Sequence, residues 1–207
     1  MSSQDKAFVS TAVQLSDISL SHAQLMHWIA EYREIKGTWP AKEQLISSPG
    51  YHIELLEDLE RWNLVAQDKE QNLVAKEQWI SLPVVGAVAA GIPIEAIENQ
   101  QGQLSLPLRL FRERPTYLLR VRGDSMKDVG ILNGDLIAVR KTQDVSEGKI
   151  IVARVDNEVT VKRLKLAGDQ VALMPENTSY EPIMVAPDEL VVEGVFVGVI
   201  RESRQLH

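Results

Sequence analysis

Two short segments of this 207-residue chain hold residue types able to hydrolyse an acyl bond without histidine, cysteine or a metal ion. The first is Arg122-Gly123-Asp124-Ser125-Met126-Lys127-Asp128, which follows the apolar run YLLRV and precedes the turn sequence ILNGD. A small residue near a serine lets the backbone bend sharply and aim amide N–H groups at an oxyanion, the donor arrangement acyl transfer needs, with the Asp124 and Ser125 amides as candidates. The second segment is Glu158-Val159-Thr160-Val161-Lys162-Arg163-Leu164. In a strand of period two, Lys162 shares a face with Thr160 and Leu164, whereas Arg163 shares one with Val161. A lysine among such neighbours can be buried, lose its proton near neutral pH and take the proton of a serine hydroxyl. Each segment also has a plainer reading. Gly-Asp-Ser is a common turn, a strand lysine is commonly a solvated edge charge, and Asp124 and Asp128 fit local turn capping better than polarisation of the serine.

Composition narrows the chemistry. The chain has no cysteine, which removes disulfides, thiol nucleophiles and thiolate metal sites. All four histidines, His22, His27, His52 and His207, lie outside the β-rich stretch that carries both segments. That stretch therefore holds neither a Ser-His-Asp triad nor a histidine-ligated metal, and if it hydrolyses anything, a lysine is the usual substitute base. No metal and no cofactor is expected. Residues 1–80 carry 7 Lys/Arg and 12 Asp/Glu, net −5, and residues 81–207 carry 15 and 17, net −2. Neither part is basic, which argues against a strong sequence-independent grip on DNA. No run of about 18 apolar residues appears and the N-terminus lacks a secretory pattern, so a cytoplasmic protein without membrane contact is expected.

The elements that must position these residues fall into two textures, an α+β chain. From Ser21 to Lys36 the apolar residues Leu25, Met26, Trp28, Ile29, Tyr32 and Ile35 recur every three or four positions, which predicts an amphipathic helix capped by Ser19 or Ser21 and ended by Gly37. Trp39–Pro40 breaks the chain before a short helical piece at Ala41–Ile46, and Ser47–Gly50 reads as a turn. A further helix carries Ile53, Leu55, Leu56, Leu59 and Trp62, and Leu64–Gln67 and Leu73–Lys76 flank DKEQN as a hairpin. This is the outline of a small, mainly helical, winged helix-turn-helix-like unit. After Trp79 short β-branched runs alternate with Gly, Asn and Asp, which predicts an all-β barrel or sandwich-like body. The division expected is 1–78 for the helical unit, 79–94 for a linker and 95–207 for the β body.

The segments SLPVVGAVAAGIP (81–93), LLRVRGDSMKDVGILNGDLIAV (118–139), KTQDV (141–145), VARVDNEVTVKRLK (152–165), LMPEN (173–177) and VEGVFVGVIR (192–201) resemble, in collinear order over roughly 120 residues, the C-terminal domain of LexA repressors and their UmuD relatives. The resemblance implies a mainly β fold of the LexA and signal-peptidase kind, with Ser125 as nucleophile, Lys162 as general base and Ala90–Gly91 as the bond cut in the protein itself. It further implies cleavage promoted by a RecA filament on single-stranded DNA, and a homodimer through the C-terminal domain. Without the surrounding match, VAAGIP reads as a plain loop of small residues.

Residues 20–76 can be laid over the winged helix-turn-helix of the same repressors, but the chain is several residues shorter before LLEDLERWNLV, which truncates the expected recognition helix. Tyr51, His52 and their neighbours remain to face a groove, on an acidic segment. Three functions are compatible with this. The favoured one is a LexA-like repressor of the DNA-damage (SOS) response that binds operator DNA and inactivates itself. The second is a UmuD-like, self-processing accessory subunit of an error-prone polymerase, against which the length of the chain counts. In the third, the N-terminal unit binds protein, with Trp39, Tyr51 and Trp62 as aromatic candidates, although each also fits core packing.

Overall fold

Ser19 sets the start of the first helix, α1 (Leu20–Lys36). Its side chain accepts from the His22 amide, and its own amide donates to His22 Nδ1 at 3.2 Å, a reciprocal cap with histidine in the place usually held by Glu or Gln. Gly37 ends the helix at φ +73°, a left-handed conformation a side chain would strain, and its amide donates to the Arg33 carbonyl at 2.9 Å. The structure, a computed structural model, describes residues 15–47, 52–86 and 99–201.

Ala23, Leu25, Met26 and Ile29 form the buried stripe of α1, while Ile35 lies exposed in the last turn, beyond the last buried residue. The short helical piece is a 3-10 turn, Lys42–Ser47. Helix α2 (Ile53–Arg61) has only nine residues and buries Leu56 and Leu59. Strands β1 (Val65–Gln67) and β2 (Leu73–Ala75) close an antiparallel hairpin, whose turn is held by Asp68 Oδ1 accepting from the Glu70 and Asn72 amides.

The remaining strands are β3 (Trp79–Val85), β4 (Gln100–Pro107), β5 (Tyr117–Arg120), β6 (Leu136–Arg140), β7 (Ile150–Val155), β8 (Glu158–Ala167), β9 (Gln170–Met174), β10 (Ile183–Val185) and β11 (Val191–Ile200). They form one nine-stranded sheet in the order β10-β9-β8-β7-β11-β6-β5-β3-β4, antiparallel except between β3 and β5. Residues 79–85, which the sequence pattern assigns to the linker, are thus a strand of the sheet. The reason is their alternation, which sends Ile80, Leu82 and Val84 to one buried face.

Neighbouring residues of the central strands feed different clusters. In β6, Leu136 and Ala138 join one core while Ile137 and Val139 join another, and in β5 Leu118 faces the first while Tyr117 and Leu119 face the second. Burial on both faces accounts for the near-continuous apolar runs in these strands. The first cluster also takes in Ala23, Leu25, Met26, Ile29, Leu56 and Leu59, so the helical unit and one face of the sheet share a core. His27 Nδ1 lies 3.2 Å from Ser105 Oγ on β4, which itself bonds Ser81 Oγ on β3 at 2.8 Å.

Candidate active site

The chain leaves β5 through Val121 and turns at Gly123, whose φ of +81° lies in the left-handed region that favours glycine. Asn133 Oδ1 accepts from the Gly123 amide at 2.9 Å, and Met126, 2% exposed, drives its side chain into the second core cluster. Ser125 stands between these two anchors, half-buried. The Ser125 amide donates to no described residue, whereas the Asp124 amide faces its own carboxylate. The Ser125 amide is thus open to donate to a new partner.

Lys162 lies on β8, paired with Ile151 of β7, and is 7% exposed. Its Nζ is 2.9 Å from Ser125 Oγ, 2.7 Å from Thr160 Oγ1 and 3.0 Å from the Val161 carbonyl. No carboxylate pairs with it among the described residues. Desolvation by burial lowers its pKa from the ordinary value of 10.5. In the charged form all three N–H groups are occupied by these acceptors. In the neutral form two N–H bonds to Thr160 and Val161 hold the amine, and its lone pair is left for the Ser125 hydroxyl. The arrangement sets a hydroxyl and an amine within hydrogen-bond reach of each other, with Thr160 Oγ1 orienting the amine, which is the geometry a serine nucleophile and a lysine base would require. Strand parity places Thr160 beside Lys162, and the bond between them is a feature of the folded chain that parity alone does not announce.

Ser125 lines a cleft of about 450 Å³ together with Gly86, Leu119, Val121, Glu158 and Thr160. Gly86 directly follows β3, and its amide donates to the Asn99 carbonyl at 2.9 Å, so the two ends of segment 87–98 are tied together. Ala90 and Gly91 fall within that segment and lie outside the described residues, and so does Tyr51, in the separate stretch 48–51. His52 is exposed at the start of α2 and makes no side-chain cap there. The exposed face of α2 carries Glu54 and Glu57. Trp39 is half-buried with Arg33 stacked 4.4 Å above its ring, and Trp62 packs 4.9 Å from the His22 ring, so both aromatics serve the core rather than a free surface.

Sequence reasoning overlooked a group of residues on the far side of Ser125. Asn177, 4% exposed, donates to the carbonyl and carboxylate oxygens of Asp124 at 3.1 and 3.2 Å, and Tyr180 donates to the same carboxylate at 2.5 Å. The Tyr180 hydrogen bond, with help from Lys127, holds the Asp124 carboxyl below its ordinary range, and Asp124 in turn raises Tyr180. Asn177 ends the LMPEN segment, which was the available clue.

The peptidase S24-like family matches residues 83–197, more than half of the chain. Among curated proteins, a LexA repressor of Alcanivorax borkumensis is 60% identical over 121 residues, 58% of this chain and 59% of that one. A LexA repressor of Dechloromonas aromatica is 39% identical over 86% of this chain and 92% of its own. One from Thiobacillus denitrificans is 38% identical over 93% of this chain and its own entire length. Among the described residues no helix is long and apolar enough to cross a membrane.

Proposed function

The chain belongs to the LexA repressor family and carries a peptidase S24-like domain, and from that premise we propose that it represses transcription of DNA-damage (SOS) genes and ends the repression by cutting itself between Ala90 and Gly91. The observation that carries the reading is the 2.9 Å contact between a buried, carboxylate-free lysine and the serine of the Gly-Asp-Ser turn. Neutral Lys162 takes the Ser125 proton as Oγ attacks the Ala90 carbonyl carbon. The Ser125 amide donates to the oxyanion that forms. As the C–N bond breaks, Lys162 returns the proton to the Gly91 nitrogen, and a water then hydrolyses the acyl-serine, again with Lys162 as base.

Chain geometry supports an intramolecular substrate. Gly86 lines the cleft of Ser125, and Ala90 is four residues further on, a reach of at most about 14 Å in extended chain. Tethering at that distance supplies a large effective concentration, so a modest catalyst suffices. A RecA filament on single-stranded DNA as promoter, a homodimer through the C-terminal domain, operator binding by the N-terminal unit and a cytoplasmic location complete the reading. So does the division into a helical unit, a segment carrying the bond cut and a β body.

Two assays test it. Raising the pH should accelerate a single cut, located by mass spectrometry between Ala90 and Gly91, and Ser125→Ala should abolish the cut while still retarding a palindromic operator from the gene's own promoter. A cut that persists in Ser125→Ala overturns the peptidase assignment. Absence of sequence-selective DNA binding at low salt overturns the repressor assignment.

A further inference from the structure

Ser125 and Lys162 come from segments 37 residues apart, on β-body elements that are not neighbours in the sheet, yet their reacting atoms lie 2.9 Å apart. Something has to fix that distance. The stretch following β9 meets both sides. On the nucleophile side, the Glu176 amide donates to the Ser125 carbonyl at 2.8 Å and the Glu176 carbonyl accepts from Asp128 at 2.9 Å. The Asn177 side chain bridges to Asp124, and Tyr180 bonds the Asp124 carboxylate. On the base side, β9 pairs with β8, with Met174 opposite Arg163, and the Glu176 carboxylate is ion-paired with Arg163, the residue after Lys162.

We propose that residues 176–180 are a strut that sets the Ser125–Lys162 distance, with Asn177 and Tyr180 as positioning residues that act through Asp124. The inference rests on the self-cleavage reading above. Asn177 is suited to the task because both ends of its amide are engaged: Nδ2 donates to Asp124, and Oδ1 accepts from the Ser179 amide at 3.0 Å. A buried amide with both ends satisfied has one orientation, and it passes that constraint to the residue preceding the nucleophile. Tyr180, 44% exposed, adds a second tie to the same carboxylate from the solvent side. Neither side chain is among the hydrogen-bond partners of Lys162, so their loss is expected to change how well the serine is aimed and to leave the proton affinity of the amine alone.

The test follows self-cleavage of the full chain from about pH 7 to about pH 11, with labelling of Ser125 by a fluorophosphonate measured in parallel. Asn177→Ala is expected to lower the alkaline plateau rate by about tenfold or more, and Tyr180→Phe by a few-fold, because small misplacements of reacting groups cost rate steeply. The pH midpoint should stay at the wild-type value in both, and labelling should slow in step with cleavage. A plateau unchanged in both variants overturns the strut, and so does a shifted midpoint at constant plateau. If Asn177→Ala fails to fold by circular dichroism, Tyr180→Phe, which removes one oxygen from an exposed ring, decides alone. Ser125→Ala separates the two levels of the argument. Cleavage that persists in it defeats the serine assignment and the strut together, whereas loss of cleavage in it with wild-type rates in the Asn177 and Tyr180 variants defeats only the strut.

Discussion

The turn around Ser125 and the exposed face of α2 illustrate two ways a sequence is constrained. At the turn nearly every residue answers to a specific partner: Gly123 to a backbone angle, Met126 to a core pocket, Asp124 to Asn177 and Tyr180, and Ser125 to Lys162. On α2 the constraint is uneven: Asp58 meets His22 and Arg61, and Glu60 accepts from Gln67, but the outermost carboxylates answer to nothing described. Leu56 and Leu59 are fully buried, while Glu54 and Glu57 face solvent without a bond to any described residue. Interlocking bonds and packing therefore constrain the turn more densely than the outer face of the helix, and the peptidase S24-like match, residues 83–197, covers the first region and stops short of the second.

The sharpest way to break this contrast is at the lysine. Lys162→Met should reduce self-cleavage at neutral pH by about a thousandfold or more, the order seen when one member of a catalytic unit is removed. The same change should not destabilise the fold at neutral pH. The folded pKa of Lys162 lies below its unfolded value of 10.5, so between the two values the unfolded chain binds more protons and wild-type stability rises with pH. Below the folded value the wild-type protein carries the cost of a buried ammonium, which methionine does not. Chemical denaturation of both proteins checks the sign, and a less stable Lys162→Met at neutral pH would count against a desolvated amine.

Next in size is the shared core. Ile29→Ala should cost about 2–5 kcal/mol, since the residue is fully buried among side chains from both α1 and the sheet. Its more telling outcome is the shape of the melting curve. One transition shifted as a whole agrees with helices and sheet packed as a unit. Two transitions, with only the first shifted, would restore the picture of a helical unit that folds apart from the β body.

Reading the sequence forward succeeded where periodicity or chirality dictated the answer. Ser19 and Gly37 bracket α1 because a cap needs a side-chain acceptor and a left-handed end needs glycine. Lys162 is buried because a period-two strand puts it on the face of Leu164. Residues 79–85 were less legible: the alternation of Ile80, Leu82 and Val84 is compatible with a strand, but the partners β4 and β5 that hold it in the sheet come from long-range pairing that no local pattern announces. The bonds of Asn177 and Tyr180 to Asp124 span 53 and 56 positions, so LMPEN could be noticed but its purpose could not be read.

A smaller effect separates the helical unit by pH. His22, 6% exposed, bonds Ser19 Oγ and Asp58, and desolvation lowers its pKa below 6.5 against the opposing pull of Asp58. The unfolded chain takes up the proton first as pH falls. Stability is therefore fully present above 6.5 and is lost from there down through the folded value. His22→Gln should flatten this slope in denaturation midpoints measured across that window. An unchanged slope would place the acid sensitivity elsewhere.

The smallest expected change bears most directly on whether α2 meets DNA. Glu54 and Glu57 are exposed, three residues apart on one face, and nothing described neutralises them. If this face approaches an operator, each carboxylate raises the cost of nearing the phosphates. Replacing both with glutamine should then tighten binding by a few-fold at low salt, and the gain should fade as ionic strength rises and the Debye length shrinks to about 8 Å. Titration of a labelled operator at two salt concentrations measures both quantities. Equal affinity of the double variant and wild type at low salt would mean that α2 does not face the duplex. The acidic surface would then be free for another role, and the DNA contacts would have to come from elsewhere in the N-terminal unit.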